Sequence, residues 1–345
     1  MKVLITGSSG FLGRSVVAKC AEAGHKILAV VRPNAPDRDD WPDGLEFVVG
    51  DLRQRKDWYH ALEGVEAVIH LAAATSGDLP QQFAGTVIAT ENLLQTLPST
   101  VRRFVHVSSF SVYDFGSMET GSELDERSAL EARPDQRDPY TWAKLLQERL
   151  VVDHCKNKLS LVVIRPGAIF GPGKHWDFGR ALKLRGLDII FAPFARMRLT
   201  NVDNCADAIV RGLECPGGGT FNIVDSDLPT HATYHRLSRL AGASTGRAVY
   251  VPWIVVAATG LAIRAVNRLI LGGRARLPEI LDFPRQQARW KPLRYSNNHA
   301  ILELGWRPRL SISEGVTRMF ADGAPPLPKP DQSVRSSSGA RGAKS

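Results

Sequence analysis

The sequence lacks the marks of several protein classes. Its four cysteines have neither metal-ligand nor redox spacing, which suits a reducing cytosol. His231 and His235 lie four residues apart, but no glutamate follows His231 and no third ligand is evident, so we expect no metal. Met1 leads directly into an apolar run, so we expect no signal peptide and a cytoplasmic location. The net charge of +9 comes without a basic patch interleaved with aromatic readers, which argues against a nucleic-acid partner.

The most apolar stretch, residues 251–271, is also too short for a clear membrane span. Arg264, Asn267 and Arg268 interrupt it, so that its apolar part falls below the ~20 residues a bilayer span needs. Two interpretations stay open. The preferred one is a helix buried in a substrate-binding part. The other is a basic amphipathic segment that lies on a membrane surface, which the excess of positive charge would also suit.

A glycine-rich turn follows the first apolar run. Val3-Leu4-Ile5 predicts a buried strand, and Gly7, Gly10 and Gly13 follow it. Gly7 allows a tight turn, Gly10 lets the backbone approach a pyrophosphate, and Gly13 lets the next helix, residues 11–23, pack closely on the sheet. Free N–H groups at the start of that helix bind phosphates. The spacing differs by one residue from G-x-G-x-x-G, yet the strand–turn–helix setting favours a dinucleotide site over a loop without a ligand.

The second predicted strand, residues 27–31, ends at an arginine. A carboxylate at this position would accept the adenosine ribose hydroxyls and favour NAD. Arg32 would instead pair with a 2′-phosphate and stack on adenine, so we expect NADP to be preferred, with NAD as the alternative. The competing interpretation is a solvated charge at the strand end.

Apolar runs and helical stretches alternate through the first half of the chain. Further strands are predicted at 47–49, 67–73, 104–107 and 161–164, with helices at 84–97 and 139–153. This alternation predicts an α/β fold with a doubly wound parallel sheet and right-handed crossovers. Ligands bind beyond the carboxyl ends of such strands, where Ala72, Ser109 and Pro166 fall.

Tyr140 and Lys144 lie four residues apart, on one face of a predicted helix. A free tyrosine is a poor base at neutral pH, and a nearby ammonium favours the phenolate, so we expect Lys144 to lower the pKa of Tyr140. The spacing Y-x-x-x-K alone is common on surface helices. Its position downstream of the glycine turn and a serine cluster carries the argument.

Together these features resemble the extended short-chain dehydrogenase/reductase family, the NAD(P)-dependent epimerase/dehydratase group. The matching stretches keep the family's order up to about residue 320, and they are the glycine turn, Gly50-Asp51-Leu52, residues 70–73, 108–113, 140–144, 165–173, 202–208 and 304–308. The resemblance implies a Rossmann-type domain over 1–165 and a smaller, interleaved substrate-binding part mostly over 166–322. Residues 323–345 form a basic tail that is predicted to be disordered.

The resemblance also implies roles for individual residues. It gives Tyr140 the acid/base role, Lys144 a second task at the nicotinamide ribose, and Ser109 the orientation of the substrate oxygen. Besides Tyr140 and Lys144, the implied cofactor contacts are Gly7, Gly10, Phe11, Leu12, Gly13, Arg32, Asp51, Leu52, Ala72, Ala73 and Pro166. The expected protein is an enzyme that transfers hydride at a secondary alcohol or ketone.

Two departures from the family's pattern bear on the reaction. Phe110 and Ser111 stand where sugar-nucleotide dehydratases carry Asp-Glu, so no acid protonates a leaving hydroxyl and dehydration is disfavoured. Thr86 and Ala89 replace the Asn and Gly of a helix near the active site, which makes local support there less certain.

The sequence leaves the reaction open. The first prediction is a nucleotide-sugar epimerase, whose anionic substrate would meet Lys174, Arg180, Arg196 and Arg198. The alternative is a one-way NADP-dependent reductase or dehydrogenase of an apolar substrate, similar to hydroxysteroid dehydrogenases and dihydroflavonol reductases. Arg32 and segment 251–271 favour it. A non-catalytic NADP-sensing protein is a remote third reading, since the catalytic residues are intact. The expected partner is a small-molecule substrate, while a homodimer and a peripheral membrane contact stay open.

Overall fold

The computed structural model describes residues 1–35, 41–55, 58–174, 182–242, 246–270 and 277–320. The strands are β1 (Lys2–Thr6), β2 (Lys26–Val31), β3 (Glu46–Val49), β4 (Ala67–His70), β5 (Arg103–Val107), β6 (Glu123–Leu124), β7 (Ser160–Pro166), β8 (Ala168–Phe170), β9 (Leu182–Leu184), β10 (Leu187–Phe191), β11 (Leu199–Asn201), β12 (Gly219–Ile223), β13 (Arg247–Val251) and β14 (Arg294–Tyr295). The α-helices are α1 (Phe11–Glu22), α2 (Leu79–Phe83), α3 (Ala89–Thr96), α4 (Pro139–Cys155), α5 (Val202–Glu214), α6 (His231–Leu240), α7 (Trp253–Ile270), α8 (Phe283–Trp290), α9 (Asn298–Glu303) and α10 (Ile312–Phe320). The predicted disordered tail and Arg180 lie outside the described residues.

A seven-stranded parallel sheet organises the molecule, in the order β12-β7-β5-β4-β1-β2-β3. Its central strands β1, β4 and β5 are short and mostly apolar because both of their faces are buried, whereas the edge strand β3 is mostly exposed. In β1, Val3 and Ile5 join the core on the side of α1 and α5, whereas Leu4 joins the core on the side of α3 and α4. Helices on both faces of a parallel sheet confirm the predicted doubly wound fold. β12 lies beyond residue 166 and pairs with β7, so the chain returns to the sheet late in its course.

The helix predicted at 84–97 begins earlier than expected. Asp78 caps α2 through a capping box with Gln81, which satisfies two N–H groups at its start. A π-helical turn, Ala84–Ile88, then joins α2 to α3. The strand predicted at 67–73 is also shorter, since β4 ends at His70.

The remaining elements form a smaller part over the carboxyl edge of the sheet. It contains a three-stranded sheet (β13-β10-β9), the pairs β8–β11 and β6–β14, and helices α6, α7, α8 and α10. The apolar run at 251–271 does form a helix, but the preferred prediction that it is buried is wrong. Of the 18 residues of α7, only Val256 and Gly260 are buried, because a single face of the helix packs on the protein.

Candidate active site

The predicted site residues gather along the carboxyl edge of the seven-stranded sheet. The glycine turn follows β1, and Arg32 follows β2. The other predicted residues on the sheet edge are Asp51 and Leu52 after β3, Ala72 and Ala73 after β4, Ser109 after β5, and Pro166 at the end of β7. Tyr140 and Lys144 lie in α4. Parallel strands bring these positions together although up to 160 residues of sequence separate them.

The glycine turn has no room for side chains. Gly7 has φ of +73°, and a Cβ there would lie 2.9 Å from the backbone nitrogen of Ala72. A Cβ on Gly13 would lie 2.1 Å from the Gly7 carbonyl oxygen. α1 begins at Phe11 and has Gly10 at its N-cap, which has no side chain to satisfy the first N–H groups. This cradle therefore fits a dinucleotide pyrophosphate.

Positive charge dominates the edge next to the glycine turn. The exposed side chain of Arg32 lies just beyond β2. Arg53 donates hydrogen bonds to both carboxylate oxygens of Asp51, at 2.9 Å from Nε to Oδ2 and 3.1 Å to Oδ1. The hydrogen bond from Arg53 is the main cause of the lowered pKa of Asp51, and Arg32 adds to it. Two guanidinium groups thus face one carboxylate, which suits an anionic ligand group here.

Ser109 and Tyr140 come into contact. Ser109 follows β5, and its side chain is hydrogen-bonded with the Tyr140 hydroxyl. The backbone N–H of Ser111 donates to Ser109 Oγ at 3.1 Å and fixes that side chain. Tyr140 lies in the first turn of α4, which Asp138 caps by accepting the backbone N–H of Thr141 at 2.8 Å. One substrate oxygen can therefore meet both hydroxyl groups.

The pKa of Tyr140 moves in the direction opposite to the one predicted. Burial raises it, and the hydrogen bond with Ser109 only partly opposes the rise. The expectation that Lys144 lowers it is wrong for this structure. Lys144 Nζ donates instead to the Val107 carbonyl oxygen at 2.7 Å and to Gln147 Oε1. Tyr140 therefore keeps its proton at neutral pH.

Lys144 is almost fully buried, at 2% exposure. Burial lowers the pKa of its ammonium group to about 7, and the carboxylate of Glu148 partly opposes this. The side chain is consequently poised between its charged and neutral forms at physiological pH.

A buried polar chain that the sequence motifs do not reveal runs from Lys144 to the glycine turn. Gln147 Nε2 donates to the Ala72 carbonyl at 3.0 Å and to Thr90 Oγ1 at 2.8 Å. His70 bridges Thr90, at 2.8 Å from Nε2, and Thr6, at 2.7 Å from Nδ1. Burial lowers the pKa of His70 to about 3, so its ring is neutral. Gln147 lies one helical turn after Lys144, a spacing that is the sequence signal for this contact.

The substituted positions Thr86 and Ala89 do not leave this region without support. Thr86 lies in the π-helical turn, and its Oγ1 accepts the backbone N–H of Ala74 at 2.9 Å. Thr90 Oγ1 donates to the Thr86 carbonyl at 2.6 Å. The two threonines therefore hold the loop after β4, which carries Ala72 and Ala73.

A buried ion pair is hydrogen-bonded to Ser108, the residue that follows β5. Ser108 Oγ donates to Glu148 Oε2 at 2.5 Å, and Arg165 forms an ion pair with the same carboxylate. Arg165 also donates to the Tyr113 hydroxyl at 2.9 Å, which in turn donates to Asn222 Oδ1 at 2.7 Å. Because each charge has a hydrogen-bonded partner, the network fixes α4, β5, β7 and β12 relative to one another.

Of the four basic residues expected to meet a diphosphate, the three that the structure describes contact other groups of the protein. Lys174 Nζ lies 5.1 Å from the centroid of the Phe11 ring, beside the glycine turn. Arg196 donates to the Leu228 carbonyl at 3.0 Å. Arg198 donates to the Ala288 carbonyl at 2.6 Å and stacks over the ring of Phe115.

Comparison with known proteins identifies what this arrangement is similar to. The NAD dependent epimerase/dehydratase family matches residues 3–223. The chain is 28% identical over 343 residues to the 2-alkyl-3-oxoalkanoate reductase of Stenotrophomonas maltophilia (strain K279a), which covers 94% of this chain and 100% of that protein. It is 27% identical over 252 residues to the UDP-glucose 4-epimerase of Vibrio cholerae, with 69% and 74% covered. The crystal structure of UDP-glucuronic acid 4-epimerase from Bacillus cereus, in complex with NAD, has a TM-score of 0.69 at 18% identity, with 93% and 97% covered.

Proposed function

This chain belongs to the NAD dependent epimerase/dehydratase family and is an NAD(P)-dependent enzyme, and we propose that it reduces a ketone on an apolar substrate with NADPH. When bound, the nicotinamide cofactor supplies the hydride. The chain's own residues orient the carbonyl group, deliver a proton to its oxygen, and hold the cofactor at the glycine turn.

Tyr140 is the proton donor in this proposal. Its raised pKa keeps the hydroxyl protonated at neutral pH, which is the state that reduction needs. Ser109 is hydrogen-bonded with the same hydroxyl and orients the substrate oxygen between the two groups. Lys144, four residues after Tyr140 in the same helix, would donate a hydrogen bond to the nicotinamide ribose when the cofactor is bound.

The placement of the basic side chains carries the choice of substrate. A nucleotide-sugar presents two phosphates, which need cations directed into the cleft. Arg196 and Arg198 each bind a backbone carbonyl group of the fold, and Arg198 also stacks on Phe115. Lys174 lies against Phe11 at the cofactor cradle. This arrangement favours a substrate without a diphosphate, and the reductase that is similar over 94% of this chain acts, by its name, on a 2-alkyl-3-oxoalkanoate, an alkyl-substituted keto acid with one carboxylate.

NADPH is the proposed cofactor because of the charges beyond β2 and β3. Arg32 is exposed at the strand end, and among the residues that the structure describes here Arg53 neutralises the carboxylate of Asp51. A 2′-phosphate would therefore meet net positive charge there.

A nucleotide-sugar epimerase, the first prediction from the sequence, becomes the second candidate. The UDP-glucose 4-epimerase of Vibrio cholerae is similar over 69% of this chain, and the Ser109, Tyr140 and Lys144 arrangement suits hydride transfer in either direction. Such an enzyme would oxidise the sugar and reduce it again with no net use of cofactor.

The two candidates differ in cofactor balance. Purified protein is incubated in two assays, one with NADPH and 2-alkyl-3-oxoalkanoates or bulky apolar ketones, the other with NAD⁺ or NADP⁺ and UDP-sugars. The absorbance of the reduced cofactor and the composition of the products are followed in both. We expect one NADPH consumed per apolar ketone reduced. Interconversion of UDP-sugars with no net change in reduced cofactor, together with no ketone reduction, would contradict the proposal and select the epimerase.

A further inference from the structure

The outward face of α7 is entirely aliphatic, which is unusual for a helix on a protein surface. Ile254, Leu261, Val266 and Leu269 are exposed, and alanines fill the positions between them. Within the described ranges, α7 is the helix that is long and apolar enough to cross a membrane, with a mean hydropathy of 1.5 over 18 residues. We propose that this face docks on the surface of an anionic lipid bilayer.

The opposite face of α7 shows that the helix lies on the bilayer and does not cross it. Val256 and Gly260 are buried, and a Cβ at Gly260 would lie 1.9 Å from Gln286 Oε1 of α8. Val256 also belongs to a small core with Ala192, Ala195 and Trp290. Because this face is packed on protein at Val256 and Gly260, the outer face is the one available to lipid, as in monotopic interfacial helices.

Charge and area favour a lipid surface over a second copy of the chain. Arg264 and Arg268 are exposed on one flank of the aliphatic face, where they would reach anionic headgroups. A helix of 18 residues is about 27 Å long and about 10 Å wide, so its outer strip covers roughly 300 Å². A stable dimer buries about 800 Å² on each partner. Lipid, which needs no complementary shape, is therefore the better occupant.

The docking face lies close to the segment that leads into the catalytic helix. Arg264 contacts Gln136 Oε1 at 3.5 Å, and Arg285 of α8 donates to the Arg137 carbonyl at 3.0 Å. Residues 136 and 137 come just before Tyr140 in the chain. Docking would thus place this side of the active site next to the bilayer. One consequence rests on the proposed function: an apolar substrate would enter the active site from the lipid.

Vesicle flotation of the full-length chain, without substrate, tests the docking. Vesicles contain phosphatidylcholine alone or phosphatidylcholine with one quarter phosphatidylglycerol. The test variant is Ile254→Glu/Leu269→Glu, which places charges at both ends of the face, where the side chains are 75% and 84% exposed. The matched control is Leu302→Glu on α9, at 77% exposure. All three proteins keep the basic tail, so tail binding cancels, and thermal unfolding checks that each is folded.

We expect wild type and Leu302→Glu to float with the anionic vesicles. The affinity of the double variant for these vesicles should be lower by a factor of about ten or more. Arg268→Gln should weaken binding to the anionic vesicles more than to the neutral ones. Equal flotation of wild type and the double variant would overturn the proposal. The proposal would also be overturned if wild type did not bind vesicles but formed a concentration-dependent dimer in sedimentation, and the double variant did not form that dimer. A failure of ketone reduction with intact vesicle binding would count against the proposed function alone.

Discussion

Replacing Gln147 tests whether the buried polar chain controls the charge on Lys144. Gln147 is fully buried and accepts a hydrogen bond from the ammonium of Lys144. Such a charge-assisted bond is worth about 1.5–3 kcal/mol, and Gln147→Leu removes it. At about 1.4 kcal/mol per pH unit, the pKa of Lys144 should fall from about 7 by roughly 1–2 pH units. Gln147→Glu places an anion beside the same ammonium and should raise that pKa.

The pH profile of kcat/KM for NADPH measures this change, because it reports ionisations of the free enzyme. We expect the wild-type profile to fall as pH rises through about 7, since Lys144 then loses its charge. The fall should come at lower pH in Gln147→Leu and at higher pH in Gln147→Glu. Gln286→Leu removes another buried glutamine, far from Lys144, and controls for lost stability. Superimposable profiles, or shifts of both Gln147 variants in one direction, would refute the reasoning.

Three further substitutions separate the roles of the site residues. Tyr140→Phe should fold and bind NADPH, but its turnover number should fall by a factor of about 10² or more because the proton has no donor. Near-normal turnover would remove Tyr140 from the mechanism. Arg32→Ala should weaken NADPH binding about 10-fold or more and leave NADH binding unchanged, as two titrations would show, whereas equal wild-type affinities would return Arg32 to a solvated charge. Lys144→Met tests how this lysine affects stability. The pKa of Lys144 is about 7 in the folded protein and ordinarily 10.5, so its buried charge lowers the free energy of unfolding of the wild type below pH 7. This destabilisation disappears as the pH rises from 7 toward 10.5. Denaturation should therefore show the gap between Lys144→Met and wild type shrinking with rising pH, and a growing gap would contradict this.

The sheet and the edge that carries the site could be predicted because both follow from local patterns. Aliphatic runs mark β1, β2 and β5 within one or two residues of their observed ends. The glycine turn is equally local, since Gly7 and Gly13 meet steric limits set by residues close by or by the neighbouring strand. The start of α2 was missed although its signal is present, in the capping-box pair of Asp78 and Gln81.

Burial and its electrostatic consequences could not be predicted in the same way. A helix with the composition of α7 is buried in most soluble proteins, and only the placement of α8 on its inner side shows which face stays exposed. The spacing of Tyr140 and Lys144 predicts that they share a helix face, but it contains no information on how deeply each is buried. The depth decides the result, because it raises one pKa and lowers the other.

These two pKa shifts also bear on the direction of the reaction. Reduction of a ketone begins with a protonated donor, and Tyr140 holds its proton through neutral pH because burial disfavours the phenolate. Oxidation of an alcohol needs the phenolate from the start, and neither the burial of Tyr140 nor Lys144, whose own pKa burial lowers to about 7, favours that form. An epimerase must run both half-reactions on one substrate, so the slower oxidation would limit it. A reductase needs only the half-reaction that begins from the protonated hydroxyl, which agrees with the proposed one-way reduction.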